Sequence, residues 1–136
     1  MKKFLLTVCF ALGALTYAQS AYETTLNEKA KKISTAKTMA DYDKLFKEFS
    51  ELKKAQDPYK WKAYYYSGLV LYNKAELILK STKRTDVENV NALAEKYVLG
   101  SLAAQPNDKE NNDLLNLIKE QRTKFGTDKT MQTSKK

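Results

Sequence analysis

The chain has no histidine, and its 136 residues include one cysteine, two prolines and four glycines. Each shortage excludes something. Without histidine there is no Ser-His-Asp triad, no Cys-His pair and no imidazole-ligated metal site. The four glycines are scattered, so no G-x-x-x-x-G-K or G-x-G-x-x-G loop cradles a phosphate. One cysteine makes no internal disulfide. Strand signals are missing too: nothing alternates with period two for long, and no paired runs flank an Asn-Gly or Asp-Gly turn. What remains is apolar residues recurring every three or four positions, the signature of helices.

The length allows one domain. Lys2 and Lys3 open the chain, Phe4–Leu15 is an apolar run, and Thr16-Tyr17-Ala18 supplies small residues where a signal peptidase reads. That order is the pattern of a secretory signal. Its apolar part is about 12 residues, short of the roughly 20 that a spanning helix needs. Cleavage is expected after Ala18, with Ser20 as the alternative. Cys9 lies inside the apolar run behind Leu6-Thr7-Val8, which does not fit a lipid-anchoring site. Removing 18 of the 136 residues takes Lys2, Lys3 and the cysteine, leaving 118 residues and lowering the charge from +8 to +6. The expectation is an exported protein, periplasmic or secreted, with no stable membrane anchor. It is divided into a signal (1–18), a helical domain (19–126) and a disordered basic tail (127–136).

The fold class expected is all-α, with about five antiparallel helices. The first, about 21–36, carries Tyr22, Leu26, Ala30 and Ile33. Thr38 caps the second, with Asp41 at its positive end. Tyr42, Leu45, Phe46, Phe49 and Leu52 form that helix's apolar face to about 55. Asp57-Pro58 restarts the chain as cap and first helical residue. The third helix, about 58–80, is the most apolar and is the expected centre of the domain. Thr85 and Glu88 fit a capping box for a fourth helix, about 86–104, that buries Val87, Val90, Ala94, Tyr97, Val98 and Leu102. Asn107 with Glu110 caps a fifth, about 108–125, faced by Leu114, Leu115, Leu117 and Ile118. Gly126 suits the left-handed residue that closes a helix.

Gly68 sits inside the third helix, where glycine costs about 1 kcal/mol against alanine, so close approach of a neighbouring helix is expected there. Tyr64 stands four residues ahead of it. Ala94, Val98 and Ser101 lead to Pro106 on the fourth helix. These residues resemble the paired helices of a tetratricopeptide repeat. The stretch Asp57-Pro58-x-x-Trp61-x-x-Tyr64-Tyr65-Tyr66-x-Gly68, followed by Ala-Ala-Gln-Pro-Asn-Asp, is similar to exported, repeat-like proteins of Bacteroidetes-type bacteria. The likeness covers about 40–120. Gly68 and Ala94 are 26 positions apart. A standard repeat spaces the matching positions by about 12, so this would be a long-helix version. The resemblance implies a tetratricopeptide-like hairpin stack or small bundle, with helix packing through Tyr64, Gly68, Ala94, Ser101 and Pro106. It also implies a non-enzymatic interaction module for a protein or peptide partner. Lys62, Tyr65, Leu69 and Tyr72 would then line its groove as candidate ligand contacts. Chaperone-binding repeats need Lys and Asn at two of those places; Tyr65 and Leu69 stand there instead, so chaperone-tail binding is not expected.

Other chemistries have ordinary explanations. Tyr59, Trp61, Tyr64, Tyr65, Tyr66 and Tyr72 suit either a binding surface or a core with phenols bonded at its edge. Lys29, Lys31, Lys32 and Lys37, and Lys80, Lys83 and Arg84, suit an anionic surface or simply solvated helix faces. With two arginines and interspersed acids, no nucleic-acid partner is expected. Asp41 with Asp43, Glu48 with Glu51, and Asp108 with Glu110 are the carboxylate pairs for a hydrolase, but they read as exposed helix starts and faces. No catalytic residue, cofactor or metal is expected. A small envelope hydrolase and an anionic-polymer-binding protein are the alternative functions.

Overall fold

The computed structural model describes the backbone over residues 21–134 and side chains through 125, so the expected signal segment at 1–18 lies outside the described residues. Those residues form helices joined by short turns, without strands. Helix α1 is described over 21–33. It is followed by α2 (Met39–Leu52), α3 (Lys60–Lys80), α4 (Val87–Ala104) and α5 (Lys109–Ser134).

Sequential neighbours are antiparallel, as cross-helix contacts fix. Tyr22 reaches the Leu52 carbonyl while Lys29 meets Glu48. Phe49 stacks on Tyr66 while Asp43 meets Lys74. Two antiparallel steps make α1, α3 and α5 run parallel. Two apolar clusters form around α3. Leu26, Ile33, Leu45, Phe49, Ala63 and Val70 fill the side toward α1 and α2. Leu71, Ala75, Ile78, Val90, Ala94, Val98, Leu114 and Ile118 belong to the side toward α4 and α5. Phe46 and Leu69 pack against both.

The closest approach is α3 to α4. A Cβ on Gly68 would lie 2.6 Å from Val98 Cγ2 and 3.1 Å from the Ala94 carbonyl oxygen. A second glycine, Gly100, receives the Tyr64 ring: a Cβ there would come within 2.9 Å of it. The α4/α5 hairpin has a regular register. Val87, Asn91, Ala94, Val98 and Ser101 stand at positions equidistant from the turn with Phe125, Gln121, Ile118, Leu114 and Asn111, and all are buried. The 4-3-4-3 spacing of each row is that of a coiled-coil seam. Asn91 and Gln121 anchor it with an amide–amide hydrogen bond of 2.9 Å.

Several helix ends differ from the expected ones. Thr38 does cap α2, and Asp41 closes a capping box by accepting from the Thr38 N–H at 3.2 Å. Asp57 instead accepts from Tyr59 N–H within the turn ahead of α3, and Tyr59 is the N-cap. The Thr85–Glu88 box does not form. Asp86 is the α4 N-cap at φ 67°, a left-handed conformation that short polar side chains tolerate, and no side chain caps this end. Asp108, in place of Asn107, accepts from Asn111 N–H at the start of α5. No described glycine has positive φ, and α5 continues through Gly126 to Ser134 where closure and an unstructured tail were expected. No proline follows Pro106, and an established helix gains one hydrogen bond per residue it adds.

Candidate interaction face

Lys62, Tyr65, Leu69 and Tyr72 recur at three- and four-residue spacing, one stripe of α3. That stripe lies between α1 and α5. Lys62 Nζ pairs with Glu23 Oε2 of α1 at 2.6 Å and sits 5.0 Å from the Tyr59 ring centroid. Tyr65, Leu69 and Tyr72 pack partly against the α3/α4/α5 core and are half-buried. The aromatic run therefore divides. Tyr66 turns toward α2 and stacks on Phe49 at 5.4 Å. Tyr64 turns toward α4, beside Tyr97 at 6.0 Å. Tyr65 meets Tyr66 edge-on at 5.2 Å and leads toward α5.

The phenols report their surroundings. Burial, then the charges of Glu110, Asp108 and Asp113, push Tyr65 up to about 12. Burial, then Glu76 and Glu120, raise Tyr72. Burial raises Tyr66 as well, against the lowering effect of Lys62 and together with Glu110 and Glu23. So carboxylates from both flanking helices face the α3 stripe. Glu110, Asp113 and Glu120 share one stripe of α5, and that periodicity includes Leu117, which is 42% exposed. Sequence reasoning missed this set. Nothing in the linear order links Tyr65 to Glu110; the parallel placement of α3 and α5 does.

The residues expected to pack helices separate as well. Ala94 and Ser101 are fully buried, and Tyr64 covers Gly100. Pro106 is exposed in the turn between α4 and α5, where its carbonyl accepts from Asn112. Ser101 Oγ and both polar atoms of Asn111 are buried without a hydrogen-bond partner among the described residues.

Among the described residues, clefts open on the opposite side, two of them flanking α3. One, of about 440 Å³, is lined by Asp57, Pro58, Trp61, Tyr64 and Gly100. The other, of about 410 Å³, lies among Met39, Phe46, Lys74 and Leu93. Helices α2 and α4 flank α3 there with no Cα–Cα approach within 8 Å, and side chains bridge the gap. Phe46 meets Tyr97 edge-on at 5.3 Å, and Lys53 donates to the Tyr97 hydroxyl at 3.0 Å. Burial pushes the Tyr97 phenol up, but the hydrogen bond and charge of Lys53 help to hold it below its ordinary value.

The carboxylates considered for hydrolysis mostly have structural partners. Asp41 caps α2, Asp43 pairs with Lys74, Glu48 with Lys29 and Glu51 with Lys54. Asp108 caps α5. Among the described residues no group of three or more Asp, Glu, Cys or His converges to hold a metal ion, and no helix is long and apolar enough to cross a membrane. Lys31, Lys32, Lys37, Lys80, Lys83 and Arg84 are exposed at helix ends and faces. No family model, curated protein or solved structure matches the chain.

Proposed function

We propose that the protein is an exported, non-enzymatic helical interaction module of tetratricopeptide-like build, and that it binds a protein or peptide segment across the face shared by α1, α3 and α5. The observation that carries this reading is the half-buried stripe Tyr65, Leu69 and Tyr72 between two parallel flanking helices. Half-burial holds each side chain rigidly and leaves part of it for contact, so a ligand meets apolar area that costs little entropy to order. The export part rests on the basic-apolar-small pattern of residues 1–18.

A displayed random-peptide library tests the face. Wild type is expected to retain binders that the Tyr65→Ala/Tyr72→Ala double variant loses, with circular dichroism verifying that the variant is folded. Equal retention by both proteins, or no binders at all, would sink the assignment.

A further inference from the structure

The chain is basic overall, at +8, yet its candidate interaction face is acidic. Glu23, Glu76, Glu110, Asp113 and Glu120 surround the α3 stripe. Three of them are offset by a lysine: Glu23 by Lys62 at 2.6 Å, Asp113 by Lys109 at 2.7 Å and Glu76 by Lys124 at 3.7 Å. Glu110 and Glu120 are exposed and pair with no cation among the described residues. They stand ten residues apart on α5, on the stripe that also presents the exposed Leu117. At 1.5 Å per residue their Cα atoms are about 15 Å apart. Tyr65 and Tyr72 lie alongside, about 10 Å apart by the same rise.

The arrangement is therefore two unpaired carboxylates separated by an apolar and aromatic strip. A chain of like charge to the whole protein, but complementary to this strip, gains there and is repelled elsewhere. Charge complementarity of this kind sets partner choice and encounter rate more than raw affinity. A span of about 15 Å is four to five residues of extended peptide at roughly 3.3 Å each.

Building on the peptide-binding reading above, we propose that the partner segment is cationic: an extended peptide with Lys or Arg four to five positions apart. Its charges pair with Glu110 and Glu120, and its intervening apolar side chain lies on Tyr65, Leu69, Tyr72 and Leu117. Tyrosine faces also attract cations directly, so Tyr65 and Tyr72 contribute to the same preference.

The test selects displayed random decapeptides on wild type with counter-selection on the Tyr65→Ala/Tyr72→Ala variant, then measures selected peptides by fluorescence anisotropy. The peptides are expected to be enriched in Lys and Arg. Their affinity is expected to fall at least tenfold in Glu110→Gln/Glu120→Gln, two exposed changes that leave the core alone, and to weaken between low and high salt. Tyrosine-dependent peptides without basic enrichment, or unaffected by the Gln changes, would overturn the cationic assignment while leaving the peptide-binding reading standing. Recovery of no tyrosine-dependent peptide would overturn both.

Discussion

Gly68 and Gly100 are both covered glycines, and they differ in what covers them. A methyl at Gly68 would meet Val98, a fully buried β-branched side chain with little rotamer freedom, and the Ala94 backbone oxygen. A methyl at Gly100 would meet the half-buried Tyr64 ring, which has an open cleft beside it. Helix propensity favours alanine at both by about 1 kcal/mol. At Gly68 overpacking of about 1–3 kcal/mol outweighs that gain. Gly68→Ala is therefore expected to lower the urea midpoint, and Gly100→Ala to leave it nearly unchanged or raise it. Equal losses at both sites would contradict this assignment of the tight contact. The helix-interior position of Gly68 already asked for a neighbour in the sequence. Gly100, inside the fourth helix, asked for one as well, but only the fold shows that its neighbour is a ring from 36 residues earlier in the chain.

At the scale of the element, helix ends divide into those that local chemistry settles and those that packing overrides. The Thr38–Asp41 box is local: two residues three apart satisfy each other's backbone donors. Backbone hydrogen bonds from Lys37 and Thr38 hold the Asp41 carboxyl below its ordinary value. A depressed carboxyl stabilises the fold fully above its unfolded pKa, and that contribution is lost as pH falls through the folded one. Asp41→Asn is therefore expected to melt below wild type at neutral pH, with the gap closing on the acid side of the ordinary carboxylate range. A gap that widens with acid would refute the role of the charge. The Thr85–Glu88 pair has the same sequence pattern but does not form a box. Buried Val87 starts α4 in the core, and Asp86 takes the left-handed turn that brings it there.

For the whole molecule, one helix and one polar network hold the parts together. Both apolar clusters are built on α3, so they should unfold as a unit. Gln121, 1% exposed, ties α5 to the rest: it accepts from Asn91 and donates to the Tyr72 carbonyl and to Glu76, each at 2.9–3.0 Å. Arg122 extends the network to Asn91 and Glu95. Gln121→Ala strips partners from buried groups and is expected to cost about 2–4 kcal/mol in urea unfolding. Circular dichroism and the fluorescence of Trp61, the single tryptophan, are expected to report coincident transitions in wild type. Separate transitions would show two folding units.

The helices and their apolar rows were legible in the sequence, since three- and four-residue spacing is a property of the chain itself; Leu45 with Phe49 and Val90 with Ala94 and Val98 are examples. The α5 row was only half legible. Leu114 and Ile118 are buried as its pattern implied, while Leu117 is exposed and the buried places beside them go to Asn111 and Gln121. A buried amide looks like a surface residue until its partners are known. The stripe of Lys62, Tyr65, Leu69 and Tyr72 was likewise readable along α3. The carboxylates opposite it belong to other helices. The sequence by itself determined which residues share a helix face. Only the tertiary structure decided which faces meet and what charge surrounds them, because those depend on contacts between positions distant in the chain.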